Sequence, residues 1–188
     1  MLTISFSPFP ELLTERLTLK QITSEDKEQV LRLRSDKKIM RYIPRPLAQT
    51  VDDAAYLIET MNTGIANAES INWGIKLKND KQLIGIIGYV KFVKPHYRAE
   101  IGYLLDTAFH KKGIMQEAIT AVMDYGFKVM KLHSIEAIID PDNTASAKIL
   151  EKNQFIKEGH FKENFLFNGI FLDTVYYSRI TSIKEPSE

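Results

Sequence analysis

Residues 98–118 read RAEIGYLLDTAFHKKGIMQEA, and this stretch contains the change of pattern that decides the fold. Residues 98–105 are predicted to form a strand. A helix is predicted to begin near Gly113 and to end near Met130, because Ile114, Ala118 and Val122 recur at helical spacing. The stretch therefore predicts a strand joined to a helix by a loop that ends in glycine.

The segments on either side of this stretch predict further strands and helices. Upstream, the predicted order is a strand at 16–21, a helix from Thr23 or Ser24 to about Ser35, a helix opened by the capping pair Thr50 and Asp53, and strands at 71–77 and 83–92. Downstream, it is a strand at 133–139, a helix capped by Asn143 or Thr144 and ending near Lys152, and strands at 155–167 and 170–180 joined by Asn168-Gly169. The order β-α-α-β-β-β-α-β-α-β-β predicts a mixed α/β fold with a mixed sheet of about seven strands and about four helices.

The composition limits the function classes. The charges nearly cancel, with 25 Lys and Arg against 24 Asp and Glu, so nothing indicates the basic surface that nucleic-acid binding requires. The chain has no cysteine, which excludes disulfides, thiolate metal sites and a cysteine nucleophile. No set of His, Asp and Glu has ligand spacing, and we therefore expect no metal site.

The length and the continuity of the pattern predict one domain. The 188 residues suffice for one core, and no linker or repeat divides them, so we expect a single domain over 1–188 with a core at about 11–181. The chain shows no signal-peptide pattern and no run of about 18 apolar residues. We expect a cytoplasmic protein that does not enter a membrane.

Three segments carry a resemblance to a known family. They are AEIGY at 99–103 followed by Gly113 and Glu117-Ala118, DPDNTASAKILEKNQF at 140–155, and the closing hairpin around Asn168-Gly169. In this order they resemble the GNAT acetyltransferases, specifically the RimJ/RimL-like branch that acetylates ribosomal proteins. The family pattern [QR]-x-x-G-x-[GA] falls on residues 110–115, where only Gly113 matches, and Gln154 stands where glycine usually precedes the phenylalanine.

The resemblance implies the GNAT acyl-CoA fold and acetyl-CoA as co-substrate. In that fold the strands corresponding to 98–105 and 133–139 splay apart, and the pantetheine arm lies in the gap. The implied cofactor-binding residues are Tyr103, Leu104, Leu105, His110, Lys111, Lys112, Gly113, Ile114, Met115, Asn143, Ser146 and Lys152. A loop leading into a helix N-terminus suits the pyrophosphate, because its backbone N–H groups lack helical partners.

Each of these residues also has an ordinary structural interpretation. Gly113 would serve as a turn residue, and the neighbouring lysines and Lys152 would be solvated surface charges. Asn143 would be a helix cap. The strand at 98–105 would be an ordinary core strand.

Acetylation of an amine involves two further roles, a base for the amine and a partner for the departing thiolate. Without cysteine, direct transfer within a ternary complex is the simpler mechanism, and a carboxylate is the natural base for the amine. Glu100 is the candidate base, and its structural alternative is a pairing with Arg98 or a neighbouring basic group. Ser146 is the candidate partner of the departing thiolate. Glu163 and Tyr177 are weaker catalytic candidates.

The predicted function is acetyl transfer from acetyl-CoA to a primary amine of a protein N-terminus, including that of a ribosomal protein, or of a small molecule. The loop at 41–47 is where this fold builds acceptor specificity. One alternative is a catalytically inactive module that binds or senses coenzyme A, and another is a purely structural interaction domain. The pattern leaves a monomer and a homodimer both open.

Overall fold

The computed structural model describes residues 2–181 and is built on one eight-stranded mixed sheet. The strands are β1 (Leu12–Leu13), β2 (Leu17–Gln21), β3 (Ile71–Leu77), β4 (Leu83–Val93), β5 (Arg98–Leu105), β6 (Ser134–Ile139), β7 (Ile156–Phe167) and β8 (Ile170–Ile180). The helices are α1 (Lys27–Ser35), α2 (Val51–Ala66), α3 (Ile114–Asp124) and α4 (Thr144–Lys152). The strand order is β1-β2-β3-β4-β5-β6-β8-β7, so the predicted mixed α/β fold is confirmed.

The centre of the sheet opens between β5 and β6. These strands are parallel, and they pair only from Arg98 opposite Ser134 to Glu100 opposite Glu136. Beyond this point β6 continues to pair with β8 as far as Ile139, whereas β5 continues to pair with β4. A gap therefore opens beyond Glu100, and the expected splay of these two strands is confirmed.

Helices cover the two faces of the sheet. On one face α3 contributes Ala118, Ile119 and Val122 to the larger apolar cluster, and on the other α1 and α2 form a second cluster around Leu33 and Ile58. Full burial of a side chain of this size contributes roughly 1.5–3 kcal/mol. The sheet is therefore held from both sides, with β5 in its middle.

Successive side chains of β5 point alternately to these two faces. Ala99 and Ile101 belong to the α3 cluster, whereas Leu104 belongs to the α1–α2 cluster. Because side chains two residues apart share a face of a strand, Glu100 faces the same side as Leu104.

Local sequence signals set several boundaries as predicted. The Thr50 side chain accepts from Asp53 N at 3.1 Å, and the Asp53 carboxylate accepts from Thr50 N, which forms the capping box of α2. Asn168 and Gly169 have φ of 49° and 79° and turn the chain between β7 and β8. Among residues 2–181, no helix is long and apolar enough to cross a bilayer.

Two features differ from the sequence-based expectation. The sheet has eight strands rather than seven, because Leu12 and Leu13 pair with Leu19 and Thr18. The helix expected to end near Met130 is α-helical only to Asp124 and continues as a π-helical turn. At this point the buried Tyr89 hydroxyl donates to Val122 O at 2.8 Å and takes up one helical carbonyl.

Candidate active site

The loop before α3 presents unpaired backbone N–H groups. Gly113 precedes the helix with a φ of 74°, in the region that favours glycine. The first hydrogen bond of the helix runs from Glu117 N to Gly113 O at 3.1 Å, so the N–H groups of the first turn have no helical partner. A methyl group added at Gly113 would meet only Arg16 Nη2 within 4 Å, at 3.3 Å. The loop is therefore open to a ligand and has the geometry that an anionic phosphate requires.

The ion pair between Arg16 and Glu117 fixes the position of this loop. Arg16 Nε lies 2.7 Å from Glu117 Oε2, and Arg16 Nη1 donates to Lys112 O at 2.9 Å. Burial alone would raise the pKa of Glu117, but hydrogen bonds from Thr14 and Arg16 hold this pKa below its ordinary value. Glu117 is therefore ionised at neutral pH and ties the loop to the turn before β2.

The side chains of the loop point in different directions. His110 Nε2 lies 3.0 Å from Leu105 O, and Lys112 Nζ lies 5.3 Å from the Phe109 ring centroid. Met115, which replaces a small residue of the family pattern, is only 8% exposed and packs in the apolar core. Its size therefore fills the core and does not obstruct the open side of the loop.

Two hydroxyl groups meet beyond the point where β5 and β6 part. Tyr103 Oη, from β5, lies 2.6 Å from Ser146 Oγ, from the first turn of α4. Ser146 is 6% exposed, and burial raises the pKa of Tyr103 to about 12, although the hydrogen bond with Ser146 acts in the opposite direction. Both groups are therefore neutral at physiological pH and able to donate a proton.

The other predicted residues of α4 lie around this pair. The Asn143 side chain accepts from Ser146 N at 3.1 Å and caps α4, as its structural interpretation predicted. Lys152 is exposed in the last turn, next to Asn153, whose Oδ1 accepts from Gln116 Nε2 at 2.7 Å. The end of α4 thus lies against the first turn of α3. The side chains of Leu104 and Leu105 are buried, so only their backbone is available to a ligand.

Glu100 lies where the pairing of β5 with β6 ends. Burial is the main cause of the raised pKa of Glu100, the nearby Glu136 carboxylate adds to it, and Lys91 and Arg45 oppose it. The pairing with Arg98 that the structural alternative included is not formed, because Arg98 Nε lies 3.3 Å from Glu136 Oε2. Arg98 and Glu136 occupy neighbouring strands, and this cross-strand pair leaves Glu100 without an ion pair within the described residues.

The two weaker catalytic candidates lie elsewhere. Tyr177 donates to Glu151 Oε1 at 3.3 Å, and Glu163 lies on β7, the outermost strand of the sheet. The described residues also contain no group of three His, Asp or Glu side chains able to hold a metal ion.

Two contacts at the site were not predicted from the sequence. Arg16 was assigned no role, and Tyr103 was predicted to bind the cofactor through its backbone rather than through its hydroxyl. Arg16 and Glu117 are 101 residues apart, and Tyr103 and Ser146 are 43 residues apart. Only the residue types, a basic group next to a predicted phosphate loop and a tyrosine on the splayed strand, would have indicated them.

Comparison with known proteins identifies the family. A family model described as the acetyltransferase (GNAT) domain matches residues 16–156. The chain belongs to the GNAT acetyltransferase family. This GNAT enzyme is an acetyl-CoA-dependent N-acetyltransferase, and acetyl-CoA is its co-substrate.

Relatives extend over most of the chain. The GNAT enzyme is 36% identical over 170 residues to the uncharacterised N-acetyltransferase YoaA of Bacillus subtilis (strain 168), which covers 90% of this chain and 96% of that protein. It is 25% identical over 161 residues to a spermidine N(1)-acetyltransferase of Vibrio cholerae, with 86% of this chain and 91% of that protein covered.

Solved structures share the fold. A GNAT-family acetyltransferase from Bacillus anthracis has a TM-score of 0.81 and 31% identity, and covers 91% of this chain and 98% of its own. RimL, a ribosomal L7/L12 α-N-protein acetyltransferase solved with coenzyme A, has a TM-score of 0.80 and 20% identity. The match covers 91% of this chain and 98% of the RimL chain.

Proposed function

We propose that this GNAT enzyme acetylates a primary amine by direct attack within a ternary complex, with Glu100 as the general base. The observation that carries the proposal is the position of Glu100 at the end of the β5–β6 pairing, next to the gap. A half-buried carboxylate with a raised pKa and no ion pair within residues 2–181 suits proton abstraction from an ammonium group.

Acetyl-CoA supplies the activated acetyl group as a thioester. The residues proposed to bind it are those of the phosphate loop, His110, Lys111, Lys112, Gly113, Ile114 and Met115, together with Tyr103, Leu104, Leu105, Asn143, Ser146 and Lys152. The backbone N–H groups before α3 would hold the pyrophosphate, and Arg16 and Glu117 would keep the loop in place.

The Tyr103–Ser146 pair supplies a proton donor on the other face of β5. Tyr103 packs with the α3 cluster, whereas Glu100 faces the α1–α2 side. The base and the hydroxyl pair therefore lie on opposite sides of the strand that borders the gap. We propose that the amine reaches the gap from the α1–α2 side, and that Ser146, backed by Tyr103, protonates the leaving thiolate as the C–S bond breaks. The second proton that the amine nitrogen loses when the amide forms then restores the hydroxyl pair.

The finer assignments rest on the family resemblance. We place the chain in the RimJ/RimL-like branch as a single domain that works in the cytoplasm, as a monomer or homodimer. The acceptor is the amine of a protein N-terminus, such as that of a ribosomal protein, or of a small molecule. Relatives named for spermidine acetylation and a RimL structure support an amine acceptor in general.

The test is release of coenzyme A thiol with a panel of amines at saturating acetyl-CoA. Glu100→Gln should lower kcat by about 10²-fold or more, the contribution of a general base, while leaving acetyl-CoA binding unchanged. The matched control is Glu28→Gln on the exposed face of α1, which should leave turnover unchanged. Unchanged kcat in Glu100→Gln contradicts the assignment, and binding without turnover of any amine supports the inactive coenzyme A-binding module.

A further inference from the structure

Arg34 is half-buried, and the described residues do not neutralise its positive charge. Its Nε is buried and has no hydrogen-bond partner, and no carboxylate within residues 2–181 forms an ion pair with it. Arg32, two residues earlier on α1, forms an ion pair with the buried Asp106. Because buried hydrogen-bond donors in proteins are normally satisfied, the unpartnered Nε makes Arg34 a candidate to bind an anion from outside the chain.

Arg45 adds a second unpaired guanidinium. It lies in the loop between α1 and α2, and this loop returns to the end of α1, where Ala48 N donates to Arg34 O at 3.1 Å. Burial is the main cause of the lowered pKa of Arg34, and the charge of Arg45 lowers it further. Within the described part of the chain, Arg45 also has no ion pair. Two guanidinium groups close to one another without a counter-ion favour a carboxylate or a phosphate, which they can bind in a fork geometry.

This cationic pair lies on the same side of the sheet as Glu100. Arg45 lies between Ile43 and Leu47, which pack against the same α1–α2 cluster as Leu104. Consistent with this placement, the charge of Arg45 lowers the pKa of Glu100 as well as that of Arg34. Glu100 and Leu104 share a face of β5, and Leu104 packs with residues of α1 and α2 such as Leu33. Between them Gly102 has no side chain, and an added methyl group would meet only the Val90 side chain within 4 Å, at 3.0 Å.

We propose that the acceptor is a small amine that carries an anionic group, a carboxylate or a phosphate, close to its amino group. The amine lies at Glu100, and the anion binds Arg34 and Arg45. This inference rests on the proposed function. It also predicts that the enzyme acetylates polyamines poorly, because their additional positive charges would face two guanidinium groups.

The test compares acceptors that differ only in the anion. The pairs are phosphoethanolamine against ethanolamine and β-alanine against β-alaninamide, with spermidine as the polycation. A charge-assisted contact of this kind should give at least one anionic amine about a tenfold higher kcat/KM than its neutral partner. The pair that shows the preference tells whether the anion is a phosphate or a carboxylate.

Variants connect the preference to the two arginines. Arg34→Gln and Arg45→Gln should each remove most of the preference, about tenfold, by lowering kcat/KM for the anionic amine far more than kcat/KM for ethanolamine. Lys37→Gln removes an exposed charge from the turn after α1 and is the control, with the preference retained. Arg45 is exposed, so its variant tests the inference even where Arg34→Gln folds poorly.

A binding measurement separates the inference from the proposed function. Calorimetric titration of phosphoethanolamine and of β-alanine, in the presence of coenzyme A, should show binding that Arg45→Gln weakens about tenfold. The inference is wrong, and the proposed function stands, if ethanolamine or spermidine is acetylated with the same kcat/KM as the anionic amines and the arginine variants do not alter these values. If no amine is acetylated but the anionic probe binds through Arg45, the anion site stands and the proposed catalysis is wrong.

Discussion

The hydroxyl oxygen of Tyr103 lies 2.6 Å from Oγ of Ser146, and this contact joins the splayed strand β5 to the first turn of α4. Because burial raises the pKa of Tyr103 to about 12, its proton is retained at neutral pH. The pair is therefore a fixed proton donor on the α3 side of the strand, opposite the face occupied by Glu100.

Removing either hydroxyl should slow the reaction. Ser146→Ala should lower kcat by about 10²-fold, because the departing thiolate loses its proton donor, and Tyr103→Phe should lower it about tenfold. Stopped-flow detection of coenzyme A thiol measures both. Tyr125→Phe, at a partly buried tyrosine that makes no contact with Ser146, is the matched control and should keep native kcat. Native turnover in Ser146→Ala would assign proton transfer to water.

The rate should depend on the ionisation of Glu100. Burial, and then Glu136, raise the pKa of Glu100, while Lys91 and Arg45 oppose the shift. A base must be deprotonated, so kcat/KM should fall as pH drops through this raised pKa, with the acidic limb above the range of an ordinary glutamate. With an acceptor amine of low basicity, Glu136→Gln should move the limb to lower pH, and Glu100→Gln should remove it. If the acidic limb of the pH profile persists in Glu100→Gln, it arises from the ionisation of another group, and Glu100 is not the base.

The same raised pKa predicts a stability effect. Folding raises the pKa of Glu100, so the folded state binds a proton more readily, and stability is lost as pH rises through the folded pKa. Glu100→Gln should therefore raise Tm at pH 8 and have little effect at pH 4, below the unfolded pKa. Thermal unfolding at both pH values measures this, and a Tm gain that is equal at both would indicate a packing effect.

Gln154 should be replaceable by glycine with a gain in stability. Its φ is 64°, in the left-handed region that costs a residue with a Cβ about 1–2 kcal/mol. Replacement by glycine removes this cost, but the greater freedom of glycine in the unfolded chain offsets part of the gain. Gln154→Gly should therefore stabilise the fold by about 0.5–1 kcal/mol. Urea unfolding measures the change. Gln154→Ala retains the Cβ and should give no gain, and equal stability of the two variants would contradict the strain argument.

The parts of the fold that were predicted correctly are those set by local chemistry. Thr50 with Asp53 marks the start of α2, and Asn168-Gly169 marks the β7–β8 turn, because each works within a few residues. The strand at Leu12–Leu13 escaped prediction because two residues show no periodicity, and it forms only by pairing with β2.

Contacts within the candidate site were not predicted from the sequence. The family resemblance implied a loop that ends at Gly113 and leads into a helix, and Gly113 lies directly before α3. Met115, which departs from the family pattern, is buried in the core. The partner of Arg98 is Glu136 rather than Glu100, because it is set by the parallel register of β5 and β6. Such contacts depend on which strands become neighbours, and this is fixed by tertiary packing.

The central claim, that the loop before α3 binds acetyl-CoA, is tested most directly by calorimetric titration of the native protein and of Gly113→Glu with acetyl-CoA. Gly169→Glu is the control, because Gly169 has a similar φ of 79° in the distant β7–β8 turn and nothing within 4 Å of an added methyl group. We predict micromolar-range binding by the native protein and by Gly169→Glu, and its loss in Gly113→Glu, where a carboxylate would face the pyrophosphate. Absence of binding to the native protein, or equal binding by Gly113→Glu, would contradict the account.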